Sequence, residues 1–218
     1  MRIFTYTPPL GLPTVVYEDA HYVVINKPSG LLSNPGRDPL THDCAITRMQ
    51  HEYGELYLVH RLDCDTSGLL VMAKTKPAES AFKKALEKRQ IKKTYEALVW
   101  GEMAKAKGVI DAAIGPNPDD RPLQQVMMNG KEAITEYRVL EFSSIENVTR
   151  VELMPQTGRT HQLRVHLNHV GHPILGDSFY AHAQALAAKP RLCLHAQSLH
   201  FEHFALGKRL TLQALADF

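Results

Sequence analysis

Residues 57–73, YLVHRLDCDTSGLLVMA, decide how this chain is read. Two apolar runs, Tyr57–His60 and Leu69–Ala73, have strand composition and flank a polar loop from Arg61 to Gly68. Upstream, Thr14–Tyr17 and Tyr22–Asn26 predict a hairpin. Asn26-Lys27-Pro28-Ser29-Gly30 then breaks the strand with turn residues, residues 31–43 read as loop, and 44–53 as a short helix. Downstream, Ala78, Ala81, Phe82, Ala85 and Leu86 fall on one helical face behind Pro77. Thr94–Trp100 reads as a strand ending at Gly101, and 101–133 as an irregular excursion with a short strand at 108–112. Ile134–Phe142 and Val148–Met154 pair as antiparallel strands across Ser143–Asn147. A second helix over about 160–170 turns Leu163, Leu167 and Val170 inward and stops at Gly171. Arg191–His195, Ser198–Phe201 and Arg209–Gln213 read as further strands. The expected fold is α+β, a mixed, largely antiparallel β-sheet core with a few flanking helices.

Composition bounds the function class. An apolar fraction of 44% and a charged fraction of 22% over 218 residues are those of an ordinary globular protein. Met1–Pro13, with Pro8, Pro9, Gly11 and Pro13, reads as an extended arm, and residues 14–218 as a single domain. No apolar run suits a secretory signal or a membrane span. Cys44, Cys64 and Cys193 are odd in number and form no CxxC pair, as expected of reduced cytosolic thiols. The net charge is only +2, yet Lys83–Lys93 holds six basic side chains against Glu87, which suits a phosphate-binding patch or a solvated helix face equally.

Three stretches carry candidate chemistry. In His60-Arg61-Leu62-Asp63-Cys64-Asp65-Thr66-Ser67-Gly68, a carboxylate at a strand end beside arginine could be held ionised and aimed; equally, Asp63 and Asp65 could bond their own turn. A calcium loop is excluded because Lys74 stands where the bidentate Glu is needed. Tyr95 alternates with Ala97 and Val99 and, taken alone, reads as a core residue. Between Thr157 and His166, the spacing puts His161, Arg164 and Asn168 on one helix side, either a phosphate- or carboxylate-binding stripe or a solvated face. There is no HExxH, Walker or dinucleotide glycine pattern and no GxSxG elbow.

Taken together and in order, these stretches resemble the RluA family of pseudouridine synthases. His60-Arg61-Leu62-Asp63 with Thr66-Ser67-Gly68 is similar to the signature loop, and Asn26-Lys27-Pro28-Ser29-Gly30 to the first motif. Lys93-Thr94-Tyr95-Glu96-Ala97 resembles the tyrosine motif. Thr157-Gly158-Arg159-Thr160-His161-Gln162-Leu163-Arg164 and Gly171-His172-Pro173-Ile174-Leu175-Gly176-Asp177 resemble the arginine motif and the segment after it, and Leu194-His195-Ala196 a further family segment. The resemblance implies a pseudouridine synthase catalytic domain, here of the short subgroup without an S4 domain, whose namesake modifies a tRNA anticodon stem-loop and large-subunit (23S) rRNA.

It also implies roles. Asp63 acts at C1′ of the target uridine, by covalent attack or through a glycal; Arg164 pairs with Asp63; Tyr95 stacks on the base and helps remove the C5 proton. Arg61 fills the place of the flipped nucleotide and Leu163 packs near the uracil. His60, Thr66, Arg159, His161 and Gln162 complete the expected RNA-binding set, with Lys83, Lys84 and Lys88 as further backbone contacts. No cofactor, metal or membrane is implied; the partner is RNA, the location cytoplasmic and the state monomeric. A glycoside hydrolase using Asp63 and Asp65 is the rival enzyme, but two carboxylates in one tight loop cannot flank a bond. A non-catalytic RNA-binding module is the other rival, and exposed aromatics or a stronger basic excess would favour it.

Overall fold

The computed structural model describes residues 6–120 and 122–218. The first five residues of the expected arm therefore lie outside the described residues. In chain order the elements are β1 (Thr14–Glu18), β2 (Tyr22–Lys27), α1 (Ala45–Tyr53), β3 (Tyr57–Leu58), β4 (Ser67–Ala73), α2 (Lys76–Glu87), β5 (Lys92–Trp100) and β6 (Lys107–Asp111). They continue with β7 (Ile114–Pro116), β8 (Gln124–Val126), β9 (Ile134–Ser143), β10 (Val148–Pro155), α3 (Gln162–His169), α4 (Ala183–Ala187), β11 (Leu194–His203) and β12 (Lys208–Gln213). The fold is α+β with a largely antiparallel sheet core, as expected. The chain forms two compact units, one of the described residues up to Lys93 with Ala196–Asp217, the other of Thr94–His195 with Phe218.

In the first unit the strand order is β1-β2-β4-β11, with β12 paired to β11 and the short β3 to β4. All seven residues of β4 are buried, as a strand flanked on both sides requires. Thr75 caps α2 by accepting the Ala78 N–H, and Ala78 and Phe82 turn inward. The Phe82 ring then meets Tyr22 and Phe201 edge-on, with centroids 5.9 and 5.1 Å apart. The arm is tied down where it is described: Arg48 donates to the Pro9 and Gly11 carbonyls at 2.7 and 2.6 Å.

In the second unit β5 pairs with β10, β10 with β9 and β9 with β6, all antiparallel. Its core gathers Ala97, Val99, Val151, Leu153, Leu167, Ile174 and Leu175.

Several expectations change in the structure. The strand expected at Tyr57–His60 ends at Leu58, because the His60 ring Nε2 accepts the Val71 N–H at 3.1 Å in place of a backbone carbonyl. The strand expected from Leu69 starts at Ser67, extended by the pairing of Gly68 with Lys27. The two strands expected at Arg191–His195 and Ser198–Phe201 are one strand, β11. The excursion at 101–133 holds a second hairpin, β7–β8, and α4 was not foreseen. Val170 is not inward: it caps the end of α3 and is 39% exposed.

Gly68 is the tightest point of the first unit. Its φ is +111°, and a Cβ there would lie 2.4 Å from the Ala196 carbonyl oxygen and 2.5 Å from the Ala196 nitrogen. Both obstacles are backbone of β11, so no rotamer change relieves them. Gly68→Ala is expected to destabilise the protein by about 3 kcal/mol or more, measured by urea unfolding. Gly54→Ala, at φ +75° and ψ −140° but with nothing within 4 Å of its Cβ, should cost about 2 kcal/mol from backbone strain alone.

Candidate active site

The Asp63 loop is fixed by backbone on both sides of the carboxylate. The Ser33 hydroxyl donates to the Leu62 carbonyl at 2.7 Å and accepts the Leu62 N–H at 3.0 Å, holding the preceding residue through both of its polar groups. On the other side, the Cys64 carbonyl accepts from Gly30 N–H at 3.0 Å and from the Lys27 ammonium at 2.8 Å. Ser29 donates to the Asp65 carbonyl at 2.7 Å, and the Thr66 N–H closes a turn on the Asp63 carbonyl at 3.2 Å. The Asn26–Gly30 segment therefore serves as the clamp of the Asp63–Thr66 turn.

Lys27 is the centre of that clamp. Its side chain has no exposed surface, and its ammonium donates to Pro28, Leu31 and Cys64 carbonyls at 3.0, 2.6 and 2.8 Å. Three donors meet three acceptors, so the charged form is fully hydrogen-bonded. Burial still pulls its pKa down to about 8, opposed by the negative groups of Cys64, Asp65 and Asp63. Asp63 and Asp65 are partly buried, Arg61 is exposed, and Leu62 and Thr66 are buried. The Thr66 hydroxyl oxygen is buried without a hydrogen-bond partner among the described residues.

His60 faces inward. Its ring stacks on Phe82 with centroids 6.1 Å apart, and accepting the Val71 N–H requires a neutral imidazole. Burial accordingly holds its pKa well below the usual histidine range, with the Lys93 charge adding to the effect.

In the second unit the arginine stripe is not a solvated face. Every residue from Gln162 to Leu167 is buried, and Arg164, at 2% exposure, is among the largest fully buried side chains. Its Nε and Nη2 donate to the two oxygens of Asp177 at 2.9 and 2.7 Å, and Asp177 is fully buried. The guanidinium also lies over the Phe179 and Tyr180 rings, at 4.8 and 5.3 Å. Asp177 in turn accepts the Phe179 and Tyr180 N–H groups at 2.9 and 3.2 Å, so one loop supplies both the carboxylate and the stacking rings. Such a bidentate pair fixes the guanidinium plane as well as its charge.

Gln162 uses its full hydrogen-bonding capacity inside the protein. It accepts from Thr157 and from the Arg159 N–H, and donates to the Ile134 carbonyl and the Thr135 hydroxyl, all at 2.8–3.0 Å. It is a strut for the Thr157–Thr160 turn. His161 caps α3 in the left-handed region, with φ 55°. Arg159 is exposed, with its Nε on the Glu132 carbonyl at 2.9 Å. Leu163 is buried in the core of this unit. Tyr95 is partly buried, packs against the same core and stands opposite Leu153 in the β5–β10 ladder. On α2, Lys83 and Lys76 both pair with Glu79, at 2.6 and 3.0 Å, while Lys84 and Lys88 are exposed.

Sequence reasoning missed the parts played by Asp177, Ser33 and Lys27. Asp177 had a readable signal: a lone carboxylate closing the apolar run Pro173–Gly176, where burial demands a cation. Among the described residues no group of three His, Cys, Asp or Glu is arranged for a metal ion.

The family model for RNA pseudouridylate synthase matches residues 21–169, which span both the clamp and the Arg164 helix. The chain belongs to the RNA pseudouridylate synthase family. Within it, the sequence is 47% identical over 220 residues to the dual-specificity RNA pseudouridine synthase RluA of Salmonella typhi, covering all of both chains. Identity to the RluA enzymes of Escherichia coli K12 and Haemophilus influenzae is 47% and 43%, again over both full lengths. Human RNA pseudouridylate synthase domain containing 1 shares the fold, with a TM-score of 0.82 at 27% identity over 97% of this chain and 87% of that one. Human RNA pseudouridylate synthase domain containing 4 gives 0.74 at 29% identity, over 93% and 88%. The chain is thus an isomerase of the RluA type, an RNA pseudouridine synthase.

The Lys27 clamp has a measurable pH signature. The folded pKa of about 8 lies below the unfolded value near 10.5, so between those values the unfolded chain binds more protons and stability rises with pH. Lys27→Met removes this titration. In urea unfolding, wild type should gain about 1 kcal/mol over Lys27→Met between pH 7 and pH 9; a difference that does not change with pH would contradict the assignment.

Proposed function

We propose that this RNA pseudouridine synthase isomerises a discrete uridine in a structured RNA, a tRNA anticodon stem-loop, 23S rRNA or both, with Asp63 acting at C1′. The observation that carries the reading is the loop itself. A partly buried carboxylate sits on backbone pinned through Leu62, Cys64 and Thr66, and a fixed carboxylate is what attack at a sugar carbon needs.

The reaction breaks the bond between C1′ and N1 of uracil, turns the base and joins C1′ to C5. A proton leaves C5 and N1 ends protonated, so nothing is oxidised or reduced and no co-reactant is consumed. Asp63 either forms an ester with C1′ or draws a proton from the sugar to give a glycal. Arg164 is the basic residue assigned to the site, and its bidentate hold on Asp177 gives its guanidinium one orientation. Tyr95 stacks on the uracil, and its hydroxyl assists loss of the C5 proton.

The target must leave its stack first, at a cost of a few kcal/mol. Arg61, exposed beside Asp63, takes the vacated place. Arg159, Lys84 and Lys88 are exposed cations suited to phosphate, and Lys83 joins them by exchanging Glu79 for RNA. His161 contacts the RNA directly, while His60, Thr66, Gln162 and Leu163 act from within the segments that present it. The three cysteines are free thiols, as suits a reducing cytoplasm.

The test is site-mapped pseudouridine formation on tRNA and rRNA transcripts. Wild type should convert a discrete uridine; Asp63→Asn should bind the same RNA and turn over about 10⁴-fold more slowly or less. Turnover by Asp63→Asn within tenfold of wild type would remove Asp63 from the chemistry.

A further inference from the structure

Behind the Arg159 turn lies a hydrogen-bond chain that the reaction as described does not use. His166, on α3, has no exposed surface; its Nε2 is 2.9 Å from the Ala112 carbonyl and its Nδ1 2.9 Å from the Thr135 hydroxyl. Thr135, on β9, is equally enclosed, and its hydroxyl also lies 3.0 Å from the side-chain nitrogen of Gln162. Gln162 then closes on Arg159 from both sides. Its Oε1 accepts the Arg159 N–H at 3.0 Å, and its own N–H donates to the Arg159 carbonyl at 3.2 Å.

Each bond of this chain runs in one direction. The Ala112 carbonyl can only accept, so Nε2 of His166 carries a proton. The Arg159 N–H can only donate and the Ile134 carbonyl can only accept, so the Gln162 amide has one orientation and its Nε2 donates to Thr135. The single hydroxyl proton of Thr135 is left for Nδ1 of a neutral imidazole. Burial holds the His166 pKa below the usual histidine range against the Ala112 bond, with the charge of His169 adding to the effect and that of Asp111 opposing it. A protonated imidazole would aim a second N–H at Thr135 and leave the hydroxyl proton without its acceptor.

From this geometry we infer that Thr135 and His166 are positioning residues, which lock Gln162 and through it the Thr157–Thr160 turn, so that Arg159 meets an RNA phosphate in one orientation. The Arg159 Nε is already tied to the Glu132 carbonyl at 2.9 Å, and its two terminal nitrogens make no bond among the described residues. They are the donors left for a phosphate. A turn ordered before RNA arrives spares the cost of ordering it on binding. The inference rests on the RNA reading of Arg159 given above and adds to it the buried residues that hold the turn.

The test uses the full chain and the RNA that wild type converts. Thr135→Val keeps the shape of the side chain and suits a strand but removes the hydroxyl, and Thr135→Ser restores it. KM for RNA should rise about three- to tenfold in Thr135→Val with kcat nearly unchanged, the worth of one neutral hydrogen bond, and return to within about twofold of wild type in Thr135→Ser. In an Arg159→Ala background, Thr135→Val should have no further effect on KM. With ¹⁵N-labelled histidine, wild-type His166 should show a protonated Nε2 and an unprotonated Nδ1. An unchanged KM in Thr135→Val, an equal effect with and without Arg159, or a protonated Nδ1 would overturn the inference. Failure of the parent reading looks different: Arg159→Ala would itself match wild type in KM, and the inference would fall with it.

Discussion

The geometry of the Asp63 loop depends on one buried ammonium. Lys27 is the last residue of β2, with its side chain wholly enclosed, and its three N–H bonds reach its own turn and the carbonyl of Cys64. A buried charge of this kind is costly unless every proton is accepted, so the backbone around it has little freedom to move. The turn carrying Asp63 is built against that constraint, and Ser33 closes it from the other side through Leu62. The carboxylate is therefore placed by hydrogen bonds to the main chain on either side of it.

The second unit also buries a cation, but holds it with a carboxylate instead of carbonyls. Arg164 is buried with its charge balanced by Asp177, which takes two of its nitrogens, and it lies over the Phe179 and Tyr180 rings. The Thr157–Thr160 turn before it is held by Gln162, whose four hydrogen bonds leave nothing over for a ligand. Several residues of the arginine motif are thus occupied with holding the turn and helix, and it is Arg159 and His161 that stand at or near the surface.

The parts of the fold with strong periodicity could be read from the residues. Ile134–Phe142 and Val148–Met154, set on either side of the turn Ser143–Asn147, predicted β9 and β10, and Ala78 with Phe82 predicted the inner face of α2. Shorter or side-chain-determined features could not be read this way. The β7–β8 hairpin has three-residue strands containing Gly115 and Pro116, too brief for any period. The early end of β3 comes from an imidazole replacing a carbonyl, and β11 runs unbroken through Ala196 and Gln197, which resemble a break in the sequence. Helical spacing put Arg164 with His161 and Asn168 on a polar side, but spacing does not say whether a charge is paired. Here the burial of Asp177, thirteen residues on, decided it. The candidate site residues were named from the ordered motifs, whereas the struts beside Asp63, Lys27 and Ser33, needed three-dimensional contacts to be seen.

The most direct measurement on this account is the single-turnover rate of pseudouridine formation by Ser33→Ala, with RNA affinity measured alongside. Ser33 is buried and its hydroxyl bonds only Leu62 among the contacts described, so its loss loosens the backbone beside Asp63 without removing a group from the chemistry. If main-chain pinning places the carboxylate, the rate should fall about 10- to 100-fold while the Kd for RNA stays within a factor of about two. An unchanged rate, or a loss confined to RNA binding, would show that the loop's geometry does not govern the chemical step.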